Sequence, residues 1–249
     1  MISKAKGKYI KSLQVKKYRK QEQCFVVEGR KSVAELIRSN YETILLLATR
    51  EFLSEFGSSL RHGTEVVEVE ASDLTGLGEF QSNDGVLAVA RMKPGQAVDT
   101  SEGEWLLAVD DIRDPGNLGT IIRTADWYGI RNIIASEHTA ELYNPKVINA
   151  SMGSFLRVNV YYTALAPYLS SASVPVVGAF LDGEDIHDFE FGAAGILVIG
   201  NESNGISEEV AGLVGNRVTI QGFGQAESLN AGIATAVILD NIRRVQKKR

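Results

Sequence analysis

The sequence predicts an α/β protein built from two units. Short β-rich runs alternate with helical candidates from Cys24 to Met92, and the alternation starts again at Trp105. Between these regions, Lys93–Gly103 contains Pro, Gly and polar residues without periodicity, which is typical of a linker. Because strands that alternate with helices usually pair in parallel, we expect the second unit to contain a mostly parallel sheet with helices on both faces.

Each predicted element rests on a local pattern. The β-rich runs of the first unit are C-F-V-V-E from Cys24, T-I-L-L-L-A from Thr43, E-V-V-E-V from Glu65 and V-L-A-V-A-R-M from Val86. An i, i+3, i+4 stripe at Val33, Leu36 and Ile37 predicts a helix there. The predicted strands of the second unit are Trp105–Val109, Asn132–Ala135, Pro175–Leu181, Gly195–Ile199 and Arg217–Ile220. Its predicted helices are Leu118–Tyr128, a helix near Lys146–Asn149 and a long final helix.

The composition is that of an ordinary soluble protein, with 44% hydrophobic residues among 249. No apolar run approaches the roughly 18 residues of a membrane span. The start, M-I-S-K-A-K-G-K, lacks the apolar segment of a secretory signal. We therefore expect a cytoplasmic protein without a membrane partner. The single Cys24 lies in an apolar run, which predicts a reduced, buried thiol rather than a nucleophile.

The net charge of −5 is unevenly distributed along the chain. Residues 1–20 carry eight Lys or Arg and no acid, and residues 241–249 carry five and no acid. The body from 21 to 240 has 13 basic against 31 acidic residues, a net charge of −18. Basic ends can neutralise phosphates and steer association with a nucleic acid. The alternative is that both ends are solvated tails that keep the protein soluble.

Three polar segments follow predicted strands. They are N-L-G-T-I-I-R at Asn117–Arg123, I-G-N-E-S-N-G-I-S at Ile199–Ser207 and T-I-Q-G-F-G-Q-A-E-S-L-N at Thr219–Asn230. Ligands of parallel sheets bind beyond the carboxyl ends of strands, so we expect the three segments at one edge of the unit. Taken singly, a helix N-cap at Asn117 and turns at Gly200 and Gly205 would be ordinary structure.

In this order, the three segments resemble the motifs of the SpoU (TrmH-type) RNA 2′-O-ribose methyltransferases of the SPOUT superfamily. The first motif, N-x-G-x-x-x-R, is matched by Asn117, Gly119 and Arg123. The second, G-N-E-x-x-G, is matched by Gly200, Asn201, Glu202 and Gly205. The end of the third motif is matched by Ser228, Leu229 and Asn230. The third motif differs at its opening, where Gln221 and Gly222 follow Ile220 instead of Pro and Met.

The resemblance implies a fold and two domains with different functions. Residues 103–249 would form the catalytic domain, a mostly parallel α/β sheet tied in a C-terminal trefoil knot. Residues 1–95 resemble the small L30e-like α/β domain that binds RNA in many members. The family also pairs as homodimers, in which Arg123 of one subunit would reach the cofactor site of the other. Burial of the apolar helix Leu229–Leu239 in its own domain is the alternative to a dimer contact.

The resemblance also assigns roles to individual residues. S-adenosylmethionine would be the cofactor, and the cofactor-binding candidates are Ala179, Gly200, Asn201, Ile220 and Leu229. The catalytic candidates are Asn117, Arg123, Glu202, Ser228 and Asn230. Arginine has a side-chain pKa above about 12, which makes it a poor base, and its fork of donors suits phosphate. We therefore expect Arg123 to hold the target phosphate and hydroxyl.

Other kinds of site are disfavoured. Asp110, Asp111 and Asp114 could suggest a Mg²⁺ site, but the D-P-G-N that follows is ordinary turn chemistry, so we expect no metal. The three His residues stand apart and have no Cys or His at zinc-ligand spacing. The sequence contains neither a phosphate-binding P-loop nor a G-x-G-x-x-G fingerprint, which argues against a nucleotide-dependent metabolic enzyme.

The expected substrate is RNA, with ribosomal RNA preferred by resemblance to the two-domain members. Two alternatives stay open at this point. One is 2′-O-methylation of tRNA. The other is a ribosome-assembly factor that binds RNA and keeps the fold without catalysis.

Overall fold

The computed structural model describes residues 2–79, 85–100 and 103–246. The chain divides into two units: Met1–Pro94 with Glu141–Leu156, and Gly95–Ala140 with Arg157–Arg249. The sequence indicated a division with a single linker, whereas Glu141–Leu156 groups with the first unit. The reason is aromatic packing, because Tyr143 and Phe155 lie against Phe25 with ring centroids 4.5 and 5.8 Å away.

The first unit contains a four-stranded mixed sheet in the order β1-β4-β2-β3. Its strands are β1 (Cys24–Glu28), β2 (Thr43–Ala48), β3 (Glu65–Glu68) and β4 (Val86–Arg91), at the positions of the four predicted runs. Strand β4 is antiparallel to β1 and β2, and β3 is parallel to β2. The thiol of Cys24 is free and buried, as expected from its apolar neighbours.

Helices of the first unit begin close to the amino terminus. They are α1 (Lys4–Ser12), α2 (Lys16–Glu22), α3 (Arg30–Arg38), α4 (Arg50–Phe56), α5 (Ala71–Leu74) and α7 (Pro145–Ser151). Short 3₁₀ turns lie at Gly57–Ser59 and Ser154–Leu156. Ile10 and Leu13 are fully buried in the core of this unit. The solvated-tail alternative is therefore wrong for residues 4–22, which are helices anchored in a core.

The second unit contains a six-stranded parallel sheet in the order β10-β8-β9-β5-β6-β7. Its strands are β5 (Trp105–Val109), β6 (Asn132–Ala135), β7 (Asn159–Tyr162), β8 (Val176–Asp185), β9 (Gly195–Ile199) and β10 (Asn216–Thr219). The predicted mostly parallel α/β sheet is confirmed. Strand β7 was not predicted, because N-V-Y-Y is short and lacks a clear alternation.

Helices of the second unit are α6 (Pro115–Trp127), α8 (Leu165–Ser170), α9 (Glu208–Ala211) and α10 (Ala231–Gln246). Helix α6 begins at Pro115, three residues before the predicted start, because Asp114 caps it and proline suits the first turn. A Cβ on Gly232 would lie 2.7 Å from Thr120 Cγ2, so glycine allows α10 to approach α6 closely.

No helix among the described residues is both long and apolar enough to cross a membrane. The sequence has five basic residues and no acid at residues 241–249. Helix α10 carries Arg243 and Arg244 in its last turn, and residues 247–249 lie outside the described part of the chain.

Candidate active site

The candidate site lies where the strand order of the parallel sheet reverses. From β5 the chain continues to β6 on one side, whereas β9 lies on the other side of β5 and is followed by β10. In open α/β sheets, ligands bind at such a switch point, beyond the carboxyl ends of the strands. Asn117, Gly200 and Ile220 all follow strands that end at this edge, as the sequence predicted.

Three polar side chains from the three motifs form one hydrogen-bonded chain. Asn230 Nδ2 donates to Asn117 Oδ1 at 2.7 Å, and Asn117 Nδ2 donates to Glu202 Oε1. The Asn117 amide therefore has one orientation, with its oxygen towards Asn230 and its nitrogen towards the carboxylate. We call Asn117, Glu202 and Asn230 the amide–carboxylate chain.

Both helices that supply asparagines to this chain are capped locally. Asn230 Oδ1 accepts from the backbone N–H groups of Gly232 and Ile233 at 3.0 and 3.3 Å, which makes Asn230 the N-cap of α10. The alternative interpretation of Asn117 as a helix N-cap is wrong, because Asp114 is the N-cap of α6 and its Oδ1 accepts from the Asn117 backbone N–H at 2.8 Å. The Asn117 side chain is thereby left to reach Glu202.

The motif-two loop is held by two aspartates that the sequence analysis considered only as metal ligands. Asp110 is only 5% exposed, and its Oδ2 accepts from the Ser207 backbone N–H at 2.8 Å. The Asp111 carbonyl accepts from Asn201 Nδ2 at 2.8 Å. Asp110 and Asp111 thus hold the loop at both ends. The signal that could have revealed them is two acids directly after a buried strand at the switch point.

The Asn201 side chain also makes hydrogen bonds within the motif-two loop. Its Oδ1 accepts from the backbone N–H groups of Ser203 and Asn204 at 2.9 and 3.1 Å. The Asn201 and Gly205 backbones exchange two hydrogen bonds of 2.9 and 2.8 Å. Asn201 was predicted to bind cofactor, and these contacts make it a residue that shapes the loop.

Glycine is required at two positions in this loop for different reasons. A Cβ on Gly200 would lie 2.3 Å from backbone atoms of Gly205 and Ile206. Gly205 has a φ of +68°, a conformation that other residues adopt at a cost. Any side chain at position 200 would displace the loop backbone. A substitution such as Gly200→Val therefore cannot isolate a contact with cofactor.

The remaining cofactor candidates are apolar and accessible. Ala179 and Ile220 are partly buried, and Leu229 is 46% exposed. Every residue from 221 to 230 is exposed in the isolated chain, including Phe223 at 96%. The register of β8 with β10 shifts from Arg217–Gly178 to Val218–Glu184, so residues 179–183 of β8 form a bulge between these two pairs. The apolar side chains at this edge are therefore accessible to a ligand.

Two predicted catalytic residues lie outside the amide–carboxylate chain. Arg123 is exposed on α6, and its guanidinium has no hydrogen bond or ion pair among the described residues. It lies six residues after Asn117, which places it ~9 Å along the helix and ~120° around it. Ser228 is exposed in the motif-three segment, two residues before Asn230. The structure therefore gathers Asn117, Glu202 and Asn230, and leaves Arg123 and Ser228 apart.

No group of three or more His, Cys, Asp or Glu that could hold a metal ion occurs in the described part of the chain. Asp111 Oδ1 accepts from Arg113 Nε at 2.8 Å, and this hydrogen bond raises the pKa of Arg113. The Glu202 carboxylate is the charged member of the amide–carboxylate chain, so a cationic ligand would find a negative charge here.

Known proteins share both the motifs and the fold. The SpoU rRNA Methylase family profile matches residues 104–240, and the MRM3-like substrate binding domain profile matches residues 4–88. A 23S rRNA (uridine(2479)-2′-O)-methyltransferase from Streptomyces viridochromogenes is 30% identical, over 88% of this chain and 83% of that protein. The 23S rRNA (guanosine(2553)-2′-O)-methyltransferase RlmP of Bacillus subtilis is 28% identical, over 97% and 98%.

A solved structure agrees with these relatives along almost the whole chain. The AdoMet-bound rRNA methyltransferase from Sinorhizobium meliloti has a TM-score of 0.88 at 28% identity, covering 98% of this chain and 96% of that one. Since the profile match spans the switch-point edge and contains the whole amide–carboxylate chain, this protein belongs to the SpoU rRNA methylase family.

Proposed function

We propose that this protein transfers the methyl group of S-adenosylmethionine to a ribose 2′-hydroxyl of ribosomal RNA. The observation that carries the proposal is the amide–carboxylate chain, which joins all three motifs at the switch point. The relatives named above support the reaction class, since two are named as 23S rRNA 2′-O-methyltransferases and a similar structure holds AdoMet.

The residues at the edge fit S-adenosylmethionine. Ala179, Ile220 and Leu229 offer apolar surface that suits an adenine ring, and the backbone around Gly200 offers hydrogen-bonding groups at a strand end. The cofactor would supply a methyl group on a positively charged sulfur. The carboxylate of Glu202 can stabilise that charge, and Asn117 fixes the direction in which the carboxylate points.

The chain's own contribution to the reaction is mainly alignment. The ribose oxygen must face the methyl group in line with its bond to sulfur, and such alignment can lower a barrier by roughly 7–11 kcal/mol. Asn230 and Asn117 present fixed amide groups for this purpose, and the exposed Ser228 hydroxyl lies two residues from Asn230. When the carbon–oxygen bond forms, the methyl–sulfur bond would break, the cofactor would leave as a neutral thioether, and water at this exposed edge would take the hydroxyl proton. We assign Arg123 to the phosphate beside the target ribose.

We further propose that the active form is a homodimer with a shared site. Arg123 lies ~9 Å along α6 from Asn117 and on a different face, so one copy alone does not bring it to the amide–carboxylate chain. A second copy can supply it. Three exposed apolar side chains of the second unit are available for such an interface: Trp127 at 83%, Phe223 at 96% and Ile233 at 51%.

The division of the chain follows the same proposal. Residues 103–249 carry catalysis, and residues 1–95 bind RNA as an L30e-like domain, which is supported by the match to a substrate binding domain at residues 4–88. We also propose that the second unit contains the trefoil knot of its family. Mechanical unfolding would test this, because a tightened knot makes the stretched chain shorter than an unknotted chain of 249 residues. We assign the protein to the cytoplasm, where ribosomal RNA is available to it.

The proposed reaction can be tested on RNA from cells that lack the gene. Purified protein and radiolabelled S-adenosylmethionine should methylate ribosomal RNA at a ribose that is unmodified in those cells and modified in the parent. Label only in tRNA would replace the proposed substrate with the alternative. Calorimetry that detects no S-adenosylmethionine binding, together with retained RNA binding, would instead identify a non-catalytic RNA-binding factor.

A further inference from the structure

The two amino-terminal helices present an unpaired basic surface. Of the seven lysines in residues 1–20, Lys6 pairs with Glu65. The other six are exposed and form no ion pair among the described residues: Lys4, Lys8, Lys11, Lys16, Lys17 and Lys20. Arg19, the eighth basic residue, is buried and pairs with Glu141. We call the six lysines and Tyr18 the α1–α2 basic surface.

This surface is rigidly attached to the first unit. Ile10 and Leu13 are fully buried, and Gln14 Nε2 donates to the Leu77 carbonyl at 3.3 Å. The Arg19 guanidinium donates to the carbonyls of Leu13 and Gln14 at 2.9 and 2.8 Å, which fixes α2 against the end of α1. The lysines are therefore carried by a preformed scaffold, and a ligand would not have to order a flexible tail.

The spacing of the lysines concentrates charge on α1. Lys4, Lys8 and Lys11 follow an i, i+4, i+7 pattern, so they lie on one face of the helix within ~10 Å along its axis. Elsewhere in this unit, Arg30 and Arg50 pair with Glu55 and Glu68, whereas the exposed Lys31 and Lys146 form no ion pair among the described residues. What distinguishes α1 and α2 is the concentration of six unpaired lysines on two helices, and such a charge suits a polyanionic ligand.

An exposed aromatic ring lies among these cations. Tyr18 is 41% exposed, and the Lys17 ammonium lies 5.8 Å from its ring centroid. A basic surface with an accessible ring is suited to single-stranded nucleic acid, because bases stack on the ring while lysines neutralise the phosphates. The apolar face of α1 is buried in the core, so it cannot insert into a lipid surface.

We propose that the α1–α2 basic surface binds a single-stranded segment of the RNA substrate, with one unpaired base stacked on Tyr18. Lys16, Lys17 and Lys20 contact the phosphates that flank this base, and the α1 lysines contact the strand beyond. The surface thereby selects RNA with an unpaired segment at a point separate from the methylated ribose. This inference rests on the proposed function only in taking RNA as the substrate.

Deleting residues 1–20 would not test this proposal, since the deletion removes Ile10, Leu13 and Arg19 from the folded unit. Point variants of the full chain should be titrated with a fluorescent single-stranded RNA and with a duplex of the same sequence. Tyr18→Ala should raise the dissociation constant for the single strand by about fivefold or more and change duplex affinity little. Tyr18→Phe, which keeps the ring, should bind as the wild type does.

The contribution of the lysines is measured by the salt dependence of RNA binding. Replacing Lys16, Lys17 and Lys20 with glutamine should lower the slope of the log–log salt dependence by about 2, since each lost contact with single-stranded RNA removes roughly 0.7. Lys31→Gln, on α3 of the same unit, is the matched control and should leave the slope unchanged. Circular dichroism and calorimetry with S-adenosylmethionine should report an unchanged fold and cofactor affinity in every variant.

Each outcome bears on one claim. Equal affinities for wild type and Tyr18→Ala, or a salt slope that survives the triple substitution, would overturn the proposed surface. Tight binding to phosphatidylserine vesicles in place of RNA would overturn it as well. If Tyr18 controls RNA binding but no ribose is methylated, the proposed function fails and this inference stands.

Discussion

The two units use their polar side chains in opposite ways. In the first unit, the buried Arg19 guanidinium donates hydrogen bonds to the Leu13 and Gln14 carbonyls and to the Glu141 carboxylate, and these bonds stabilise the fold. In the second unit, Asn117 and Asn230 are partly ordered by each other and by Glu202, yet they lie at an accessible edge. A polar contact buried inside a unit supports stability, whereas one at the switch point is available to a ligand.

This comparison predicts its largest effect for Arg19→Ala. The substitution leaves Glu141 mostly buried without its partner, which typically costs about 3–5 kcal/mol. Hydrogen–deuterium exchange should accelerate throughout α1 and α2, while amides of the second unit keep their protection. S-adenosylmethionine affinity, measured by calorimetry, should not change.

Two further variants control this prediction. Lys20→Ala, on the same helix but exposed, should leave the exchange rates unchanged. Arg19→Met combined with Glu141→Leu removes both charges and should recover most of the lost protection. Normal protection of α1 and α2 in Arg19→Ala would mean that the ion pair does not hold these helices.

Asn230→Asp should produce the reverse pattern, a functional loss with little change in stability. Aspartate still caps α10, but it has no N–H to donate to Asn117 Oδ1, so the Asn117 amide is free to turn away from Glu202. We expect the methylation rate to fall about a hundredfold, the typical effect of a small misplacement at a reacting centre. Thermal unfolding should remain near that of the wild type.

Asn230→Ala separates the two roles of this residue. It removes the cap as well as the donor, so it should lose activity to the same degree and also lose about 1 kcal/mol of stability. If Asn230→Asp methylates RNA at the wild-type rate, the hydrogen bond between the two asparagines has no part in the reaction.

A smaller effect is expected at Asp110, which supports the motif-two loop without lying in the amide–carboxylate chain. Asp110→Ala removes the acceptor for the Ser207 N–H, and the loop should lose order. We expect S-adenosylmethionine to bind about tenfold more weakly, which corresponds to the loss of one hydrogen bond to a charged group. Asp110→Asn retains an acceptor and should restore most of the affinity. Equal affinity in all three proteins would leave Asp110 as a residue of the fold alone.

The sequence predicted strands and the grouping of motifs better than it predicted contacts. Strand positions follow from local alternation, and parallel pairing then places the ends of β5, β9 and β10 at one edge. The hydrogen bond from Asn230 to Asn117 spans more than a hundred residues, and no local pattern encodes its direction. The role of Asp110 in holding the motif-two loop was missed for the same reason, since its partner Ser207 is 97 residues away in sequence.

Other differences have equally physical causes. Helices α1 and α2 are dominated by lysine, so the few apolar residues that anchor them, such as Ile10 and Leu13, left only a weak periodic signal. The grouping of Glu141–Leu156 with the first unit depends on the packing of Tyr143 and Phe155 on Phe25. Packing between segments so distant in sequence follows from the tertiary fold, which periodicity does not report.

Arg123 belongs to neither pattern, because its guanidinium has no partner among the described residues of its own chain. If the active site is shared, Arg123 of one copy works with Glu202 of the other. Homodimers of Arg123→Ala and of Glu202→Ala should each be inactive. A mixed dimer then contains one site with both native groups and one site with neither, so it should recover up to about half the activity of a wild-type dimer.

Differently tagged copies allow the mixed dimer to be purified before the assay. Mixing two preparations of the same variant controls for exchange, and it should yield no activity. Inactive mixed dimers beside active wild-type dimers assembled with the same tags would mean that each copy uses its own Arg123, and that α6 must then rearrange to bring it to the cofactor edge.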